Sequence, residues 1–266
     1  MKKLVSTLMV AALALSVVSC GSQPKDKAEL VVGAMSGPES ELVRVAKQVA
    51  KKKYHLKVKV LSFDSYNIPN AALDEGSIDL NIFQHLPFLQ AQVEARDYQI
   101  VAVGKTFVYP MALYSKHLTK LSQLKDGAKI AIPNDPTNEG RALLLLQKAG
   151  FIRLRPNSGF QATPLDIVSN PRHFHMVALA GPQLPRSLDD VDLAAINTTF
   201  ASLAGLSTKR DALFVETADS PYANLVVARK SDVNNPNIKR FVKAMNSPAV
   251  VKKAKQLFAG GAIKAW

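Results

Sequence analysis

The 266 residues are 47% hydrophobic and 21% charged. That balance excludes a largely disordered chain, and the length suits one large α/β domain or two lobes. The formal charge of +13 raises nucleic acid as a partner, but no base-reading motif accompanies it and the Lys and Arg residues form no long run. The charge therefore reads as a solvated basic surface close to anionic lipid, with no nucleic-acid partner.

Lys2 and Lys3, then the apolar run 4–18, then Ser19 and Cys20, read as a lipoprotein signal peptide over residues 1–19. The run is too short for a lasting membrane span. Cys20 is the only cysteine and is expected to carry the lipid, palmitate included, so no disulfide is available and stability rests on the core. Residues 20–28 are small, polar and charged, and read as a lipidated tether. Strands are expected at 30–34, around Val58, Val60 and Leu61, and at 78–83 and 100–103. A helix carries Leu42, Val45, Ala46, Val49 and Ala50 at helical spacing, and others are expected at 71–75 and 87–96. Residues 107–114 read as extended, with Pro110 implying an edge or a crossing. Strands follow at 129–132, 176–179, 193–196 and 225–228, with helices at 136–148, 238–245 and 250–258. The alternation predicts an α/β fold with parallel sheets, covering helices, and a site at strand ends facing a cleft.

Five segments offer chemistry. In 133–141, Asp135 suits a helix N-cap and Pro136 the first helical position. Arg141 then falls near the end of the first turn, where a cation meets the positive end of the dipole and a bound anion reverses the penalty. Arg141 is therefore the candidate for a ligand carboxylate, with Asn138 and Asn134 as extra donors; a solvated helix Arg is the plain alternative. In 82–87, Phe83 offers an apolar wall and His85 a hydrogen bond, although a packed histidine is the commoner outcome. In 106–110, Tyr109 stands where an aromatic ring can stack on a ligand or simply fill the core. Asn197 and Asn224 stand beside apolar strands and suit an ammonium group, or turns. No Ser/His/Asp set, phosphate loop or zinc spacing is present, so neither catalysis nor cofactor nor metal is expected. His173 and His175 alternate as if on one strand face, and His85 is the one base an enzyme could use.

Taken in order, residues 83–85, 103–110, 133–138, 140–148, 183–190, 196–199, 220–222 and 260–266 resemble the methionine-binding lipoproteins of ABC importers, the NlpA lipoprotein family. The resemblance runs from residue 30 to 266. It implies a two-lobed periplasmic-binding-protein fold of type II with a ligand cleft between lobes. Residues 29–108 would form the first part of lobe 1, 109–221 lobe 2, and 222–266 the return to lobe 1 with the C-terminal helices. It implies a non-enzymatic protein of the cell envelope, lipid-anchored through Cys20 with its folded part outside the cytoplasm. Such a protein captures L- or D-methionine and delivers it to a permease and ATPase complex. In the implied pocket Arg141 holds the carboxylate, Asn197 and Asn224 the amino end, and Tyr66, Phe83 and Tyr109 the thioether, with His85 beside them. Residues 34–38 depart from the family's first strand and loop, so Met35 and Pro38 are expected to reshape one rim. Residues 172–176 are unusually basic and aromatic. A surface lipoprotein using its basic face on membranes or host polymers, or a binder of a related amino acid or dipeptide, remains the alternative.

Overall fold

The computed structural model describes residues 29–217, 221–259 and 261–266. The signal peptide, Cys20, the tether, Ser220 and Gly260 lie outside the described residues. In chain order the first part holds β1 (Glu29–Met35), α1 (Pro38–Tyr54), β2 (Lys57–Phe63), α2 (Pro69–Asp74), β3 (Leu80–Ile82), α3 (Leu86–Arg96) and β4 (Ile100–Val108). The second holds β5 (Ala112–Tyr114), β6 (Lys129–Pro133), α4 (Pro136–Lys148), β7 (Arg153–Leu154), β8 (Ile167–Ser169), β9 (His175–Leu179), α5 (Leu184–Ser187), β10 (Leu193–Ile196), α6 (Thr198–Leu203) and β11 (Ala212–Val215). The chain then adds β12 (Ala223–Arg229), α7 (Pro236–Met245), α8 (Pro248–Leu257) and β13 (Ile263–Lys264).

Local chemistry explains the helix ends. α1 begins with Pro38 in its first turn and ends at His55 in the left-handed region, with Lys51, Lys52 and Lys53 in the last turn, where the dipole favours cations. α4 begins with Pro136 behind Asp135, whose carboxylate accepts the Asn138 N–H at 3.0 Å.

Two large sheets follow from this order, and β7 and β8 form a separate antiparallel pair. The first is β13-β4-β12-β3-β1-β2 and the second β11-β5-β10-β6-β9. β1 pairs in parallel with β2 and β3, but β12 is antiparallel to both β3 and β4. In the second sheet β6 is parallel to β9 and β10, while β5 runs antiparallel to β10 and β11. The expectation of parallel sheets is thus corrected: both large sheets are mixed. Helical crossovers enforce parallel pairing only within a lobe. The strands that follow a crossing, β5 and β12, enter their sheets from the cleft side and run the other way.

The extended stretch 107–114 also divides. β4 runs on to Val108, residues 109–111 leave regular structure, and β5 starts at Ala112 in the other sheet. α1, α7 and α8 bury Leu42, Ala46, Phe241 and Val250 against one face of the first sheet. Leu73 and Leu89 of α2 and α3 cover the other face with Val227. A further cluster joins the two lobes, setting Met35, Phe83 and Phe88 against Ile196 and Phe200. Among the described residues no helix is long and apolar enough to cross a membrane.

Candidate functional site

Because β1, β3, β6 and β10 all end toward the gap between the sheets, the residues just beyond them meet there. They line a partly open pocket between the lobes, the usual setting for a small-molecule site. Arg141, Asn138, Asn197, Asn224, Phe83, His85, Tyr66 and Tyr109 all line it, joined by Gln84, Phe88, Thr198 and Thr199.

The wall from the first lobe is aromatic. Tyr66 stands 5.7 Å from Phe83 and 6.0 Å from Phe88 between ring centroids, and 4.8 Å from Phe200 of the other lobe. The segment after β3 is fixed by buried amides: Asn70 donates to Gln84 Oε1 at 2.8 Å, and Gln84 donates to Asn70 at 2.6 Å and Asn81 at 3.0 Å. His85 caps α3, its Nδ1 accepting the Phe88 N–H at 3.2 Å. Nε2 therefore carries the proton and donates to Asn138 Oδ1 at 3.3 Å. Burial, with the Arg141 charge second, lowers the His85 pKa to about 3, so the ring is neutral at physiological pH.

The wall from the second lobe is polar and is organised from the start of α4. The Asn138 amide donates to both oxygens of Asp135 at 3.0 Å, and its Oδ1 accepts from Asn197 Nδ2 at 2.8 Å. These bonds tie the Asn138 amide to the cap, and its Oδ1 orients His85 and Asn197. The Asn197 Oδ1 is left buried without a partner in the cavity. Such an atom costs about 1–3 kcal/mol unless something donates to it.

Arg141 is 4% exposed and sits in the second turn of α4, deeper than the sequence suggested. Its charge is balanced by Glu216 rather than by the helix end: Nε donates to Oε1 at 3.1 Å and Nη2 to Oε2 at 2.5 Å. Nη2 also donates to the Tyr109 carbonyl at 3.0 Å, and the guanidinium lies 4.1 Å from the Tyr222 ring centroid. Nη1 is the nitrogen these bonds leave over. Gly140, one residue earlier, admits no side chain: a Cβ there would lie 2.4 Å from the Phe160 carbonyl oxygen.

Hydrogen bonds across the gap hold the lobes together. The Tyr66 hydroxyl donates to Thr199 at 2.9 Å, and Thr199 donates to Glu39. Burial pushes the Glu39 pKa up to about 7, the Thr199 bond opposing it, and Oε2 has no partner.

Sequence reasoning missed Glu39, Phe88 and Glu216. Glu216 follows β11, a strand without an alternation strong enough to notice, and Glu39 looks like an ordinary acid in a first helical turn. Of the residues expected to reshape a rim, Met35 is fully buried between the lobes, and Pro38 borders a separate groove. His173 and His175 do not share a strand: His173 is in the left-handed region and β9 starts at His175. Among the described residues no group of three or more His, Cys, Asp or Glu is placed to hold a metal ion.

The family model for the NlpA lipoprotein matches residues 30–266. The D-methionine-binding lipoprotein MetQ of Salmonella typhimurium is 50% identical over 254 residues, spanning 95% of this chain and 94% of that protein. Among solved structures, an ABC transporter periplasmic substrate-binding protein from Coxiella burnetii superposes with a TM-score of 0.87 at 57% identity, over 89% of this chain and 100% of that one. A nutrient-binding protein from Burkholderia cenocepacia bound to methionine gives 0.87 at 46% identity, with the same coverage of 89% and 100%.

Proposed function

Since the chain belongs to the NlpA lipoprotein family, we propose that it captures methionine in the cleft between its lobes and delivers it to the permease and ATPase complex of an ABC importer. It is a binding protein, not an enzyme. It works at the cell envelope, held to a membrane through lipid on Cys20, with its folded part outside the cytoplasm. Lobe 1 is residues 29–108 and 222–266, and lobe 2 residues 109–221.

One observation carries the reading: a guanidinium and an unpartnered amide oxygen converge on one cavity opposite a wall of aromatic rings. A zwitterion satisfies the first two. Arg141 takes the carboxylate through Nη1, the edge that Glu216 leaves over. The ammonium donates to Asn197 Oδ1, with Asn224 beside it. Neutral amides can do this without a net charge that would need its own partner. The thioether lies among Tyr66, Phe83 and Tyr109, with Phe88 added, where each sulfur–ring contact contributes about 0.3–1.5 kcal/mol. A neutral His85 fits such a site because it adds no second cation near the ammonium.

Mass spectrometry of the ligand released from freshly purified protein tests the reading, followed by calorimetry with L-methionine, D-methionine and norleucine. Methionine in the extract and weaker norleucine binding are expected. A dipeptide, or no amino acid with saturable binding, overturns it.

A further inference from the structure

The helical layer outside the first sheet carries charge that the cleft does not use. α1 bears five Lys and Arg, and α7 and α8 three each, against two acids, Glu39 and Glu41. Glu39 is buried, and Glu41 is paired with Arg44 at 2.5 Å. All these cations except Lys253 are exposed, and among the described residues none of these lysines is ion-paired. Neither α7 nor α8 has an acid in its first turn, where the dipole would favour one. The opposite face of the same sheet has the reverse sign: α2 and α3 with their C-caps hold Asp74, Glu75, Glu94 and Asp97 against Arg96 alone. The charge is therefore polarised across one lobe.

The layer also lies where the chain enters the fold. Glu29 at the start of β1 pairs with Lys57 at the start of β2. α1 ends just before it, which places Lys51, Lys52 and Lys53 around the point of entry. β1, β2 and β3 run from there toward the cleft, which opens at the far pole. Residues 20–28, fully extended, span at most about 30 Å, so a lipid on Cys20 keeps this pole near the bilayer.

We propose that, between encounters with the importer, the α1–α7–α8 face, with Lys57, docks on the anionic headgroups of the membrane that holds the anchor. The nearness of the pole to lipid rests on the lipid-anchor reading above; the charge of the face does not. Attraction of this kind falls off within a Debye length, about 8 Å at physiological salt, so it acts only on the side that touches lipid.

The test uses the full lipidated chain on vesicles of phosphatidylcholine alone, or of phosphatidylcholine mixed with phosphatidylglycerol. Amine-reactive labelling read by mass spectrometry should show Lys51, Lys52, Lys53 and Lys239 protected on the mixed vesicles only, with protection lost in high salt. Lys120 and Lys125, exposed on the second lobe, should label equally on both. The variant Lys51→Gln/Lys52→Gln/Lys53→Gln should lose about tenfold or more of the preference for phosphatidylglycerol. The variant Lys120→Gln/Lys125→Gln/Lys129→Gln, with the same change in net charge, should keep it. Uniform labelling on both vesicles, or equal loss in the two variants, overturns the inference. A chain that leaves phosphatidylcholine vesicles altogether refutes the anchor instead. In that case the two variants, compared on mixed vesicles without an anchor, still decide whether this face is the one that binds.

Discussion

The first lobe gives the cleft Tyr66, Phe83 and Phe88, rings that touch one another at 5.7–6.0 Å. The second gives it Arg141, Asn138 and Asn197, tied by directed hydrogen bonds to Asp135 and Glu216. Ring packing is broad in geometry and forgiving. A chain of bonds from one helix cap is not, because each member fixes the orientation of the next. In the proposed complex the side chain is therefore read loosely, mostly by the first lobe, and the charged end strictly, mostly by the second.

The largest effect should come from breaking the strict wall. Arg141→Ala is expected to weaken methionine binding by about 2–5 kcal/mol, a rise in Kd of about thirtyfold or more, because a buried carboxylate loses its partner. Calorimetry measures it, and a melting curve on the same sample separates binding from folding. An unchanged Kd would remove the second lobe as the holder of the acid group. Glu216→Gln sharpens the point, since it leaves the guanidinium in place and withdraws only its partner's charge.

A smaller effect tests the clasp between the walls. Glu39 has its pKa raised to about 7 by burial, above the ordinary 4.5. The folded state thus holds this proton where the unfolded chain has released it. The associated stability is complete below about pH 4.5 and is lost as pH rises through 7, at most about 3 kcal/mol. Glu39→Gln should abolish that loss. Urea denaturation at pH 5 and pH 8 should show the wild type falling relative to the variant. His85 pulls the other way: its pKa of about 3 means stability is lost as pH falls below its ordinary 6.5, a slope both proteins share. A constant difference between the two proteins at both pH values would mean that Glu39 does not titrate in this window.

The smallest effect belongs to the forgiving wall. Tyr66→Phe keeps the ring and removes only the hydroxyl that donates to Thr199. Affinity should fall by about 0.5–1.5 kcal/mol, the net value of one hydrogen bond, through a less stable closed state. A loss as large as that of Arg141→Ala would contradict the division of labour between the walls.

Much of this is legible in the chain before it is folded. The cap of α4 can be read from Asp135 and Pro136, because capping is a local matter of one side chain and four orphan N–H groups. The segments holding Phe83, His85, Asn197 and Asn224 can be placed at strand ends from apolar runs and their stops. Hydrophobic periodicity misleads about strand direction and length and misses the short α5, α6 and β11: it reports which faces are buried, and β12 looks the same whichever way it runs.

Local chain chemistry set the longer elements, the helix caps and many of the polar and aromatic residues that stop at the cleft, since each depends on neighbours within a few positions. Partners came from the assembled fold: Glu216 reaches Arg141 from 75 residues away and Thr199 reaches Glu39 from 160. Neither pairing leaves a trace in spacing, because the first exists only once the second lobe has assembled and the second only once the two lobes face each other.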